Sequence, residues 1–70
     1  MPTAYQSNVK EFRIRRGFSQ EALARELGVS RQTVVNIERG ASEPKVLLAI
    51  AMATLLGAAV HELFRKGLLW

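Results

Sequence analysis

Apolar positions recur along this chain in blocks of helical period, and each block closes on a glycine. The glycines stand at 17, 28, 40, 57 and 67. Glycine just past a helix end is favoured because it enters the left-handed conformation without a Cβ clash. The pattern predicts five short helices, over roughly 8–16, 20–27, 31–39, 45–56 and 60–66. No stretch alternates apolar and polar residues over strand length, so β-structure is not expected. The predicted fold class is all-α: one domain over 1–70, with a core at 8–66, an N-terminal arm at 1–7 and an apolar tail at 67–70.

The start signals agree with the stops. Ser19 precedes the second helix and Ser30 the third, each able to accept a bond from the orphan amides of a first turn. Each serine follows an apolar residue whose partner lies five positions on. Phe18 faces Leu23 and Val29 faces Val34, the spacing of a hydrophobic staple. Leu23 and Leu27 form the inward face of the second helix, and Val34 and Ile37 that of the third. Ala24 stands where two helix backbones come closest. The connection Gly28-Val29-Ser30 is too short for anything but a steep crossing, so residues 20–39 read as a helix-turn-helix.

The fourth helix is patterned differently. From Val46 to Val60 there is no charge and 13 of 15 residues are apolar. Val46, Ala49, Ile50 and Ala53, continued by Leu56, make an inward stripe. Leu47, Ala51 and Leu55 make a second, outward stripe, widened by Leu48 and Met52. Lys45 and Ala59 stand at the caps of the fourth and fifth helices, where serine or threonine would contribute about 1 kcal/mol. The tail Leu68-Leu69-Trp70 is apolar as well.

Composition bears on this surplus. The chain is 70 residues long and 49% hydrophobic, with no cysteine. A fold this small often leans on disulfides or a metal. Here there is no thiol and no cluster suited to zinc, so no cofactor is expected. The apolar run is short of the ~20 residues needed to cross a bilayer, and MPTAYQSN has neither the basic start nor the apolar stretch of a signal peptide. A soluble, cytoplasmic protein is expected. The formal charge is +4. Residues 1–40 hold seven Lys/Arg against four Glu, and residues 41–70 three against two. No catalysis is expected. The single histidine is His61, and His61-Glu62 lacks the second histidine of a zinc-protease motif because position 65 is Arg65.

The stretch VKEFRIRRGFSQEALARELGVSRQTVVNIERG, together with Pro44, Gly57 and HELF near the end, resembles the lambda-repressor/Cro type (XRE family) of helix-turn-helix DNA-binding domain. The resemblance runs from about Val9 to Phe64. It implies a lambda-repressor-like fold with the third helix in the major groove of double-stranded DNA. The base-reading positions would be Arg31, Gln32, Thr33 and Asn36. Their chemistry suits the role: Arg31 forks onto guanine O6 and N7, Gln32 or Asn36 onto adenine N6 and N7, and the Thr33 methyl meets a thymine methyl. Val35 also faces outward. Gln20 would contact phosphate at the start of the second helix, with Lys10, Arg15, Arg16 and Arg39 as further phosphate partners. Arg13 and Glu38 match an ion pair that family members place between the first and third helices.

The expected function is therefore sequence-specific DNA binding by a transcriptional regulator, most simply a repressor acting by occlusion on a two-fold operator. Half-sites lie ~34 Å apart, and a 70-residue domain has a radius of gyration of ~11 Å, so one copy reads one half. A homodimer through Leu47, Ala51, Leu55, Leu68, Leu69 and Trp70 is expected, the alternative being that the tail folds back onto the fourth helix of the same chain. The rival reading is an antitoxin-like or other protein-interaction module that docks a protein partner on the same apolar face. A third takes the chain as one domain of a longer regulator.

Overall fold

The computed structural model describes residues 5–66. Along the chain come strand β1 (Tyr5–Ser7), helices α1 (Val9–Arg15), α2 (Gln20–Leu27), α3 (Arg31–Glu38), α4 (Val46–Leu56) and α5 (Val60–Leu63), and strand β2 (Phe64–Lys66). All five expected helices form, and α2 keeps both expected ends. Gly67 and the tail Leu68, Leu69 and Trp70 lie outside the described residues.

Two features depart from the expected pattern. The last helix stops at Leu63 instead of running to 66, and Phe64 turns extended at φ −128°. Strand β2 then pairs with β1 as a two-stranded antiparallel ribbon, in register Tyr5 to Lys66, Gln6 to Arg65 and Ser7 to Phe64. Three-residue strands are too short to show alternation, so the hydrophobic pattern could not reveal them. Asn8 locks the junction. Its backbone N–H donates to the Leu63 carbonyl at 2.8 Å and its side-chain amide to the Glu62 carbonyl at 3.0 Å. Carbonyls that α5 leaves without an intrahelical partner are satisfied this way.

The second departure is the orientation of α4. Ala49, Met52, Ala53 and Leu56 are its buried residues. Val46 and Ile50, expected to face inward, are 73% and 50% exposed, whereas Met52, expected outside, is fully buried. At about 100° per residue the inward face is turned by roughly 45° from the expected stripe. The cause is that α4 is apolar on nearly every side, so its sequence sets no preferred rotation. Tertiary packing chooses, and the long, adaptable Met52 fills the core position. Leu55 and Leu48 end up half-buried against the core, which removes Leu55 from the outward stripe. Leu47 and Ala51 do face solvent.

The core joins Val9 of α1, Leu23 and Ala24 of α2, Val34 and Ile37 of α3, Met52, Ala53 and Leu56 of α4, and Leu63 of α5. Phe18 and Val29, ahead of the two serines, are half-buried against this cluster, as staple residues should be. Ser19 Oγ accepts from the Ala22 amide at 3.0 Å and Ser30 Oγ from the Thr33 amide at 3.1 Å. Neither Lys45 nor Ala59 caps its helix through a side chain. Gly28 carries the turn between α2 and α3 at φ +71°, and the next amide, Val29, reaches back to the Ala24 carbonyl at 3.0 Å. An αL residue with this back-bond terminates α2 sharply and sends the chain directly into α3. Among the described residues no helix is long and apolar enough to cross a membrane.

Candidate nucleic-acid interface

Helix α3 is built with two unlike faces. Val34 and Ile37 are buried, whereas Arg31 and Gln32 are exposed and Thr33, Val35 and Asn36 half-exposed. Burial of the inner pair against α2 fixes the rotation of α3, which points the polar set outward together. Ser30 sets where the helix begins. Its hydroxyl also lies 2.9 Å from Thr33 Oγ1, so the Thr33 hydroxyl is engaged and its methyl is left to present.

The outward side chains hold one another. Gln32 Nε2 donates to Asn36 Oδ1 at 3.0 Å across one helical turn. With that bond made, the pair presents the carbonyl oxygen of Gln32 and the amide nitrogen of Asn36, an acceptor beside a donor. The adenine edge in the major groove carries the complementary donor and acceptor. One residue before Gln32, Arg31 Nη2 donates to Gln20 Oε1 at 3.0 Å. Gln20 Nε2 donates in turn to Glu38 Oε1 at 3.0 Å, and Glu38 Oε2 accepts from Arg13 Nε at 2.5 Å. The pair Arg13–Glu38 is largely buried, with side chains 10% and 5% exposed. Arg13 Nη1 donates further to the Phe18 carbonyl at 2.8 Å. The expected ion pair between the first and third helices is thus present, and it extends as a relay to the surface at Arg31.

The other predicted cations are more scattered. Lys10 and Arg39 are exposed, and Arg39 caps the C-terminal end of α3. Arg15 lies 3.9 Å from Glu11 and stacks over the Phe12 ring at 5.0 Å. It lines a cleft shared with Asn8, His61 and Glu62, to which no residue of α3 contributes. Arg16 runs against the end of α4: a Cβ placed on Gly57 would meet its Nη1 at 3.2 Å. So Gln20 and Arg31 are brought together and Gln32 and Asn36 likewise, whereas Arg15 and Arg16 have neighbours elsewhere. Sequence reasoning missed the links from Glu38 to Gln20 and from Gln20 to Arg31, which span 18 and 11 residues and leave no periodic trace. The Gln32–Asn36 pair was open to it, because i and i+4 are neighbours on any helix. Among the described residues no group of His, Asp or Glu is arranged to hold a metal ion.

A second surface is apolar. Val46, Leu47, Ile50 and Val60 are exposed by 73%, 81%, 50% and 41%. Val46, Ile50 and Val60, with Glu43, Pro44, Ala49 and Phe64, line a groove of about 460 Å³.

Comparison with known proteins places these features. The family model HTH_3, described as "Helix-turn-helix", matches residues 9–63. An HTH-type transcriptional regulator of Archaeoglobus fulgidus is 38% identical over 58 residues, covering 83% of each chain. The HTH-type transcriptional regulator YgzD of Bacillus subtilis is 41% identical over 58 residues, covering 83% of this chain and 88% of its own. Among solved structures, the restriction-modification controller protein C.AhdI of Aeromonas hydrophila superposes with a TM-score of 0.69. It is 33% identical, with 77% of this chain and 82% of that one covered.

Proposed function

This chain belongs to the HTH_3 helix-turn-helix family of DNA-binding transcriptional regulators, of the lambda-repressor/Cro type, and from that premise we propose that it is a repressor that reads a two-fold operator with α3. The observation that carries the reading is the outward face of α3. Arg31, Gln32 and Asn36 stand on it side by side, already ordered by hydrogen bonds of 3.0 Å. Arg31 pairs with guanine, the Gln32–Asn36 pair with adenine, and the Thr33 methyl with thymine. Lys10 and Arg39 neutralise phosphates, and the first-turn amides of α2 face the backbone. Arg15 and Arg16 contribute positive field more than fixed contacts. Repression results if the operator overlaps a promoter, because the bound domain excludes the polymerase.

Size favours two copies. The longest dimension of the chain is 33 Å, close to the ~34 Å that separates the centres of two half-sites. One copy therefore covers one half-site. The exposed apolar face of α4 supplies the contact in this proposal, through Leu47 and Ala51 with Val46 and Ile50. Leu68, Leu69 and Trp70, which lie outside the described residues, take part in the same contact in this proposal. That face also supports the second reading, a protein-interaction module, in which a different protein occupies it.

Selection of bound sequences from random double-stranded DNA tests the proposal. An enriched palindrome with half-sites one helical turn apart is the expected result. Enrichment of nothing, together with capture of a protein partner through α4, would favour the second reading.

A further inference from the structure

Resting on the reading of α3 as the DNA-reading helix, we propose that Val35 sets specificity by taking the C5 methyl group of a pyrimidine, the group that thymine and 5-methylcytosine share. Burial of Val34 and Ile37, 0% and 1% exposed, fixes the inward direction of α3. At about 100° per residue, Gln32 then lies within roughly 10° of the outward direction, with Asn36 about 50° to one side and Val35 about 50° to the other. Thr33 falls on the far flank beyond Asn36, at about 110°. The middle of the face is therefore a polar pair with one aliphatic side chain beside it. Val35 is half-exposed. Phe18, Leu27 and Val29 share that degree of exposure, but they pack against the core, and Val35 is not part of that cluster.

The chemistry follows from what flanks this side chain. Gln32 Nε2 is engaged with Asn36 Oδ1 at 3.0 Å, so the pair offers one acceptor and one donor. The major-groove edge of an A·T pair carries adenine N7 and N6 and, at its thymine end, a C5 methyl. An acceptor and a donor flanked by one aliphatic tip match that whole edge. Val35 is β-branched, and in a helix such a side chain is held almost entirely in one χ1 rotamer. Its two methyl groups are thus placed before DNA arrives, and little conformational entropy is lost when they meet a methyl. Uracil and cytosine carry only hydrogen at C5 and leave Val35 without that contact. 5-Methylcytosine restores it, which makes methylation of the DNA readable at this position.

The test measures affinity for duplexes of the selected operator in which each thymine is replaced in turn by uracil. It compares the wild type with Val35→Ala, Thr33→Ser, Gln32→Ala and Asn36→Ala, with thermal melting to verify folding. At one thymine of each half-site, the uracil duplex should bind the wild type about three- to fivefold more weakly, the effect of one buried methyl. Val35→Ala should bring the two duplexes to within about twofold of each other. With a G·C pair at the same place, 5-methylcytosine should bind the wild type more tightly than cytosine by the same factor, and Val35→Ala should not distinguish them. Discrimination that Val35→Ala leaves intact overturns the proposal, and its loss in Thr33→Ser instead would assign the methyl to Thr33. Discrimination in only one of the two pairs would show that duplex shape is sensed, not the methyl, and overturns it as well. If neither Gln32→Ala nor Asn36→Ala alters any base preference, the reading of α3 fails, and the role of Val35 with it. If they do alter it and Val35→Ala changes no ratio, the role of Val35 alone fails.

Discussion

Removing Glu38 should cost this domain a third or more of its stability. Glu38→Ala takes away the partner of a guanidinium that is 10% exposed and fixed by a further bond to the Phe18 carbonyl, so Arg13 cannot swing out without breaking the α1–α2 turn. Leaving a buried charge unpaired costs about 3–5 kcal/mol. A chain of 70 residues has about 4–10 kcal/mol in total at typical values per residue. The loss should lower the melting temperature by at least about 12 °C, at 4–8 °C per kcal/mol for a domain this small. The companion variant Arg13→Met/Glu38→Leu removes both charges and keeps apolar volume, and it should recover most of the loss, since such replacements are often neutral. Urea titration followed by helical circular dichroism gives both numbers. A cost under about 1 kcal/mol for Glu38→Ala, the worth of a surface ion pair, would refute the reasoning. So would a double variant as unstable as the single one.

Smaller changes test other parts of the fold. Ala59→Ser should raise stability by about 1 kcal/mol, because the Glu62 carboxylate already accepts from the Ala59 amide at 2.8 Å and the new hydroxyl completes a capping box. An unchanged melting curve would count against it. Gly57→Ala and Gly28→Ala each force a side chain to φ near +70°, at about 1–2 kcal/mol. Only Gly57 adds a contact, with Arg16 Nη1 at 3.2 Å. Because that is the far end of a flexible side chain, denaturation should find the two costs within about 0.5 kcal/mol of each other. Leu47→Glu should abolish self-association in sedimentation equilibrium while leaving the melting temperature of the monomer almost unchanged, since Leu47 is 81% exposed. Association that survives it would place the contact elsewhere.

The helix-turn-helix was legible in the sequence because every local signal agrees there: two serine caps, two staples, one αL glycine and a clean apolar stripe on α2 and α3. The outward face of α3 came with it, because burying Val34 and Ile37 dictates which residues look outward. Helix α4 was readable as a helix but not in its rotation. Apolar residues on nearly every side leave Met52 and Ile50 interchangeable until the neighbours are packed. The ribbon from Tyr5–Ser7 to Phe64–Lys66 joins segments far apart in the chain, and contacts of that separation carry no periodic signature. The relay through Gln20 was hidden for the same reason.

The central claim, that α3 reads bases through Arg31 and Asn36, is tested most directly by one ratio: affinity for the selected operator over affinity for unrelated DNA at the same salt concentration. The wild type should show a ratio of at least about 10³. In Arg31→Ala/Asn36→Ala that ratio should collapse by about 10- to 1000-fold, while affinity for unrelated DNA falls only slightly. A ratio that the double variant leaves unchanged would contradict the account.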